Sequence, residues 1–136
     1  MQTTLSPELY WTTLTALFTS FLWVPHILQR IFEMMPYDAL RDPLHDVDTQ
    51  APWARRAIRA HTNAIENLLV FGLLAIIIQI TAVGTTVTAM AAAVFFYTRI
   101  AHYGIYIFGI PWLRTPVFLI GFACQITLGM RILGLI

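Results

Sequence analysis

Long apolar stretches separated by short polar ones dominate the chain. Four windows hold roughly 20 mostly apolar residues each, which is the length a helix rising 1.5 Å per residue needs to cross a bilayer core of about 30 Å. The predicted helices cover about residues 7–34, 52–82, 86–110 and 115–134. Because irregular backbone cannot face lipid, the pattern predicts an all-α integral membrane protein whose four transmembrane helices form an up-down bundle.

Local signals mark where these helices begin and end. Ser6 before Pro7, and Thr115 before Pro116, are cap-then-proline starts, and Gly84 lies where the second helix should end. The first apolar run lacks a preceding positive region and exceeds the length of a signal peptide core, so we expect a retained helix. Nothing resembling a linker or a repeat interrupts the runs, and residues 1–136 therefore form one predicted domain.

Composition supports the membrane prediction. Of 136 residues, 58% are hydrophobic and only 11% are charged, and the mean hydropathy is +0.71, whereas a soluble domain is about half apolar and about a quarter charged. No basic patch favours nucleic-acid binding, and the four histidines lack metal-ligand spacing, so we expect neither nucleic acid nor a metal. The lone Cys124 is predicted to be a small buried hydrophobic residue.

The arginines predict an orientation. Most of them lie near the loop between the first and second helices, and Arg114 lies in the loop between the third and fourth. The positive-inside rule places both loops in the cytoplasm and both termini outside. Arg131 is the exception. The first loop, residues 35–52, is long enough to fold over one end of the bundle, and its acidic run is predicted to be solvated.

Polar side chains form two stripes at helical spacing. One stripe, on the second helix, contains Arg55, Arg59, Asn63 and Glu66, at offsets of four, four and three. The other, on the third helix, contains Arg99, His102, Tyr103 and Tyr106. Ionisable residues inside membrane helices usually face partners or a site, so both stripes are candidates for binding.

A third element completes the candidate site. Arg114 and Thr115 lie at the predicted N-terminus of the fourth helix, where unpaired N–H groups and a guanidinium together favour an anion. The converging groups comprise four guanidinium groups, one carboxylate, one amide and two phenols, from Arg30, Arg59, Arg99, Arg114, Glu66, Asn63, Tyr103 and Tyr106. They suit a guest with several negative charges, an amino group and amide bonds. A small anionic peptide fits.

At these residues the chain resembles a known family. The segments "RAHTNAIEN", "RIAHYGIY" and "LRTP" resemble those of the MAPEG family, the membrane-associated proteins in eicosanoid and glutathione metabolism, particularly its bacterial members. The resemblance covers the four-helix layout along nearly all of the chain. Ala64 and Phe118 depart from it, since several members have Asp and an aromatic hydroxyl near these positions.

The resemblance implies a glutathione-dependent transferase in the bacterial inner membrane. It implies a homotrimer that binds glutathione, as co-substrate, in clefts between subunits and conjugates its thiolate to a lipophilic electrophile, with reduction of lipid hydroperoxides as a second activity. The implied binding residues are Arg30, Arg59, Asn63, Glu66, Arg99, His102 and Tyr103, and the implied catalytic residues are Arg114, Thr115 and Tyr106.

Structural interpretations stand beside these roles. Arg59 and Glu66 equally fit an ion pair that fixes helix packing. His102 and Tyr106 fit a hydrogen-bonded or packed core. A non-catalytic lipid-binding or scaffold protein on the same fold is the alternative function. A proton-coupled exporter is disfavoured, because Glu66 lies near the end of a helix and among arginines.

Overall fold

Six α-helices make up the part of the chain that the computed structural model describes, residues 5–41 and 51–136. They are α1 (Pro7–Phe21), α2 (Trp23–Met34), α3 (Pro36–Arg41), α4 (Pro52–Thr81), α5 (Thr86–Phe108) and α6 (Arg114–Ile132). Helix α5 packs against α1, α4 and α6, whereas α2 packs against α4. Half of the first predicted loop, residues 42–50 with its acidic run, lies outside the described residues.

The first predicted helix is two helices. A break at Leu22 separates α1 from α2, because Pro25 three residues later lacks an N–H and its ring crowds the carbonyl one turn earlier. At the break, Leu22 N–H donates to the Thr19 carbonyl at 3.2 Å. The Tyr103 hydroxyl of α5 donates to the Leu22 carbonyl at 3.1 Å. A side chain from a neighbouring helix therefore stabilises the break.

Helix ends follow the expected chemistry at the start of α1 but shift elsewhere. The Ser6 hydroxyl accepts from Leu9 N–H at 3.3 Å at the start of α1. At α6 the predicted cap residue, Thr115, lies inside the helix, and the N-cap is Leu113, which makes no side-chain hydrogen bond. Helix α4 ends in a left-handed residue as expected, but that residue is Ala82, with φ 53°, and not Gly84. Helix α5 ends at Gly109, whose φ of 66° suits glycine.

The apolar core lies between α4, α5 and α6. Phe71 of α4 and Phe95 of α5 stack with ring centroids 3.9 Å apart and planes 7° apart. Ala75, Ala92 and Leu128 are fully buried around them. Cys124 is buried in the same cluster as a free thiol, which confirms the prediction made for it.

Polar and apolar residues are distributed as in a membrane bundle. Small and polar side chains fill much of the interior, among them Ala57, Thr15, Asn67 and Gln125, while large apolar side chains cover the outside, such as Ile80. Small residues and interhelical hydrogen bonds are typical of packing in lipid. An exterior this apolar would be a liability in water.

Two helices, α4 and α6, are long and apolar enough to cross a membrane. The other two predicted spans do not meet the same criterion. The first is divided into α1 and α2, which have 15 and 12 residues, and α5 carries Arg99 and His102 within its length. The four-span prediction is therefore supported for two helices.

Arg131, the exception to the predicted charge distribution, is held by backbone carbonyls. Its Nε donates to the Val83 carbonyl at 2.8 Å and its Nη1 donates to the Ile136 carbonyl at 2.8 Å. A cation near the C-terminus of α6 is also favoured by the helix dipole. Arg131 therefore has a local structural role that does not depend on membrane orientation.

Candidate functional site

A groove of about 240 Å³ opens between the C-terminal half of α5 and the first turn of α6. Its lining residues are His102 and Tyr106 from α5 and Arg114, Thr115 and Phe118 from α6. On α5, residues four apart lie on one face, which places both rings toward the same space. On α6, the first turn supplies the guanidinium and the hydroxyl together.

The side chains that line the groove are in contact through their aromatic rings and the Arg114 guanidinium. The Arg114 Cζ lies 5.0 Å from the centroid of the Tyr106 ring. The His102 ring lies 5.5 Å from Tyr106 and 6.3 Å from Phe118, measured between centroids. Arg114 and Thr115 are exposed, whereas His102 is buried. The groove thus has an aromatic wall that is buried at His102 and half-buried at Tyr106 and Phe118, and an accessible cationic rim.

The rim is suited to an anion. The N-cap position of α6 is occupied by Leu113, which offers no side-chain hydrogen bond to the first turn. The N–H groups of that turn therefore lack the side-chain acceptor that most helices have. Together with the adjacent Arg114 guanidinium they attract negative charge, as the sequence predicted from the same residues.

Arg99 lies deeper, beside the groove wall. Its side chain is 2% exposed, and its Nε, Nη1 and Nη2 have no hydrogen-bond partner among the described residues. The guanidinium lies over the Phe95 ring at 5.2 Å and near the Phe118 ring at 5.9 Å. Cation–π contacts compensate part of its desolvation, but its five N–H donors have no acceptor among the described residues.

The stripe on α4 faces the other way. Arg59 and Glu66 are exposed, and neither forms a hydrogen bond or an ion pair with a residue that the structure describes. The helix buries its opposite face, which includes Ala57, Ala64 and Phe71. Within this single chain the stripe and the groove are therefore not brought together, and Arg59 and Glu66 form no ion pair with another described helix; an ion pair between subunits stays a prediction.

Asn63 occupies the boundary between these two faces of α4. Its Oδ1 is buried and has no hydrogen-bond partner among the described residues, and its backbone carbonyl accepts from Asn67 Nδ2 at 2.8 Å. Asn67 Oδ1 in turn accepts from Gln125 Nε2 of α6 at 3.1 Å. This buried amide pair was not among the predicted site residues; its one signal in the sequence is that both amides lie within apolar runs.

The remaining predicted binding residues lie apart from the groove. Tyr103 is half-buried and its hydroxyl is used at the break between α1 and α2. Arg30 is half-buried near the end of α2. His26 and His61, whose ring centroids are 5.9 Å apart, join α2 to α4 in a contact that spacing along the chain did not reveal.

Arg56 is a further cation near the site that sequence analysis did not single out. Its Nε donates to the Ile107 carbonyl at 2.9 Å, at the C-terminus of α5. Its guanidinium lies beside Gly109, where a Cβ would be 3.1 Å from it. The turn held in this way leads directly into Arg114.

The bundle and groove together define a class: a helical membrane protein with a cationic groove between two of its helices. The chain belongs to the MAPEG family, whose family model matches residues 9–134, nearly the whole chain. The family is membrane-associated and includes glutathione transferases and related enzymes. No curated protein matches the chain.

Proposed function

We propose that this protein is a glutathione-dependent membrane transferase that conjugates the glutathione thiolate to a lipophilic electrophile. The observation that carries the proposal is the groove in which Arg114 and Thr115 meet Tyr106 and His102. Membership of the MAPEG family supports the same class of reaction. Reduction of lipid hydroperoxides to alcohols, with two glutathione thiols becoming a disulfide, is the second proposed activity.

Arg114 has the principal catalytic role in this proposal. A free thiol has a pKa of about 8.5 and is mostly protonated at neutral pH, while a nearby guanidinium favours the thiolate. The Arg114 guanidinium is exposed at the groove, and the Thr115 hydroxyl beside it provides another donor for the sulfur. The thiolate electron pair then forms a bond to the electrophilic carbon, and the leaving group departs with its bonding electrons.

The outward stripe of α4 supports a site shared between subunits. Arg59 and Glu66 are exposed on a chain whose exterior is otherwise largely apolar. Charged groups on such a surface need partners, and a neighbouring protomer provides them at the least cost. In the proposed homotrimer, Arg59, Asn63 and Glu66 hold the peptide part of glutathione, with Glu66 near its amino group. Arg30, Arg99, His102 and Tyr103 complete the proposed binding set.

The position of the groove explains why the reaction would occur in a membrane. Phe118 lines the groove, and exposed apolar side chains such as Leu119 and Phe122 lie next along α6. An apolar electrophile dissolved in the bilayer could approach the thiolate from this side without crossing water. The peptide would approach from the polar end.

Ultraviolet difference spectroscopy of the purified protein with added glutathione tests the proposal. A thiolate absorption band near neutral pH is expected for the wild type, and Arg114→Ala should abolish it. Arg114→Lys should retain a weaker band, since the charge remains but the planar donor group is lost. Arg131→Gln, at the other end of α6, is the matched control and should retain the full band.

Turnover with a generic aryl halide completes the test. Release of halide by the wild type, lost in Arg114→Ala, supports the transferase. Glutathione binding without a thiolate band or turnover would favour a non-catalytic binding protein. An absence of any glutathione affinity in the wild type would contradict the proposal and favour a lipid-binding scaffold.

A further inference from the structure

A buried carboxylate lies at the end of the bundle opposite the groove. Glu8, in the first turn of α1, is 2% exposed and packs near the start of α5. Its partner Thr88 and the groove residue Tyr106 lie 18 residues apart on α5, which is about 27 Å along the helix. The proposed transferase chemistry does not involve Glu8.

No cation balances this carboxylate within the described part of the chain. Glu8 Oε1 accepts from the Thr88 hydroxyl at 2.5 Å, and no described arginine or histidine forms an ion pair with it. The contact is not needed to cap α5, because Thr85 already caps that helix. Thr88 N–H donates to Thr85 Oγ1 at 3.2 Å and Thr85 N–H donates to Thr88 Oγ1 at 2.7 Å.

Gly84 makes room for the carboxylate. A Cβ at this position would lie 2.9 Å from Glu8 Oε1. The backbone of Gly84 does not have a positive φ, so its conformation does not require glycine. Glycine is therefore needed at position 84 because a side chain there would overlap the Glu8 carboxylate.

Cavities flank the carboxylate on two sides. One, of about 310 Å³, is lined by Glu8 together with Gln79 and Ala82 at the C-terminal end of α4. The other, of about 560 Å³, extends along Thr85 and Thr86. The last carbonyls of a helix lack intrahelical partners and carry partial negative charge. The smaller cavity therefore joins a carboxylate to the negative end of a 30-residue helix.

Gln79 adds a fixed acceptor. Its Oε1 accepts from Ser6 N–H at 3.0 Å, which identifies the oxygen side of the amide. An amide oxygen has two lone pairs, so one remains to accept a hydrogen bond from a ligand. Leu5, Pro7 and Ile78 supply apolar walls around these polar groups. The cavity thus offers acceptors and one carboxylate beside apolar side chains.

We propose that the smaller cavity binds a primary ammonium group on a short apolar carrier. One positive charge matches one carboxylate, and three N–H donors match Glu8 Oε2, Gln79 Oε1 and a carbonyl at the end of α4. The headgroup of an aminophospholipid and a free small amine share this chemistry. The proposal is independent of glutathione conjugation.

Native mass spectrometry of the purified full-length protein tests the site. The probes are phosphatidylethanolamine, phosphatidylcholine with the same acyl chains, and free ethanolamine. The quaternary ammonium of phosphatidylcholine has no N–H to donate, so the wild type should retain phosphatidylethanolamine about tenfold better, as expected for losing a hydrogen bond to a charged group.

Three variants and one control refine the test. Glu8→Gln keeps the shape and removes the charge, and Gly84→Ala displaces the carboxylate; both should abolish the preference. Gln79→Leu is the reserve variant if Glu8→Gln fails to fold, and it should weaken the preference. The control is Asp38→Asn, which removes an exposed carboxylate on α3 and should leave the preference unchanged.

Displacement by ethanolamine distinguishes the two sources. One outcome is that free ethanolamine displaces the lipid, and another is that it binds when the protein has no preference between the two lipids. If either result depends on Glu8, the amine alone is sufficient for binding at this site. If only the lipid binds, the acyl chains contribute as well. A preference that survives Glu8→Gln, or a wild type that neither prefers phosphatidylethanolamine nor binds ethanolamine, would overturn the proposal.

Discussion

A charged side chain is buried against a glycine at two places along α5, one near its middle and one at its start, and the two differ in their partners. Near the groove, Arg99 lies against Gly121 of α6, where a Cβ would be 2.4 Å from its Nη2. At the start of α5, Glu8 lies against Gly84 and accepts from Thr88. Arg99 has no hydrogen-bond partner in the described protomer.

Glu8 is a buried charge with a hydrogen-bond donor, whereas Arg99 is a buried charge without an acceptor among the described residues. A buried guanidinium with unused donors is expensive, and such groups concentrate where a ligand or partner supplies the acceptor. For Arg99 we expect that acceptor to come from glutathione or from a neighbouring subunit. Glu8 already has one donor and needs only a counter-charge. The two places along α5 should therefore respond differently to substitution.

The largest expected effect comes from Arg99→Met. Removing two charge-assisted hydrogen bonds to an anion should weaken glutathione binding by about 3 kcal/mol, or about 100-fold. The free energy of unfolding should stay constant or rise, because an apolar side chain replaces a desolvated charge. Calorimetric titration and unfolding in detergent measure the two quantities.

Glu8→Gln is the control for this prediction. It should leave glutathione affinity unchanged, since about 27 Å of helix separates it from the groove. An Arg99→Met protein that unfolds readily but binds glutathione normally would show that Arg99 serves packing alone.

Gly121→Ala should have the next largest effect. Its Cβ would overlap the Arg99 guanidinium, which is enclosed and cannot easily withdraw, and overpacking of this kind costs about 1–3 kcal/mol. Gly129→Ala on the same helix meets nothing within 4 Å and should instead add up to about 1 kcal/mol through helix propensity. Equal unfolding free energies for the two variants would contradict the close contact at Gly121.

The sequence predicted the composition of the site better than its geometry. Spacing placed Arg59, Asn63 and Glu66 on one face of a helix, and His102 with Tyr106 on one face of another, as the structure has them. Periodicity fixes angles within one helix only. How α4 is rotated relative to α5 depends on packing, and therefore the outward direction of the α4 stripe was not predictable.

Other differences have equally local causes. Pro25 was visible in the sequence, and its effect on the preceding turn could have predicted the break at Leu22. Glu8, in contrast, had no distinguishing signal, because an acidic residue in the first turn of a helix is ordinary. Its burial depends on Gly84 and Thr88, which approach it only through tertiary packing.

Arg56→Met should have a smaller effect, confined to the groove end. Losing the hydrogen bond to the Ile107 carbonyl removes a cation from the C-terminus of α5, at about 1 kcal/mol. Hydrogen exchange should increase in residues 109–113, the turn before Arg114. Arg55→Met, the exposed neighbour on α4, should change neither exchange nor stability. Faster exchange in both variants would indicate a general effect of charge.

The smallest expected effect is the coupling between Asn67 and Gln125, which join α4 to α6 between the two ends. Each single change to Leu leaves a buried amide without its partner, whereas the double change leaves none. The double variant should therefore be more stable than the sum of the single losses predicts. Interhelical hydrogen bonds in membranes average about 0.6 kcal/mol, which is the coupling we expect from a double-mutant cycle. A coupling of zero would mean that Asn67 is held by its bond to the Asn63 carbonyl alone, and that α6 does not help to position the α4 stripe.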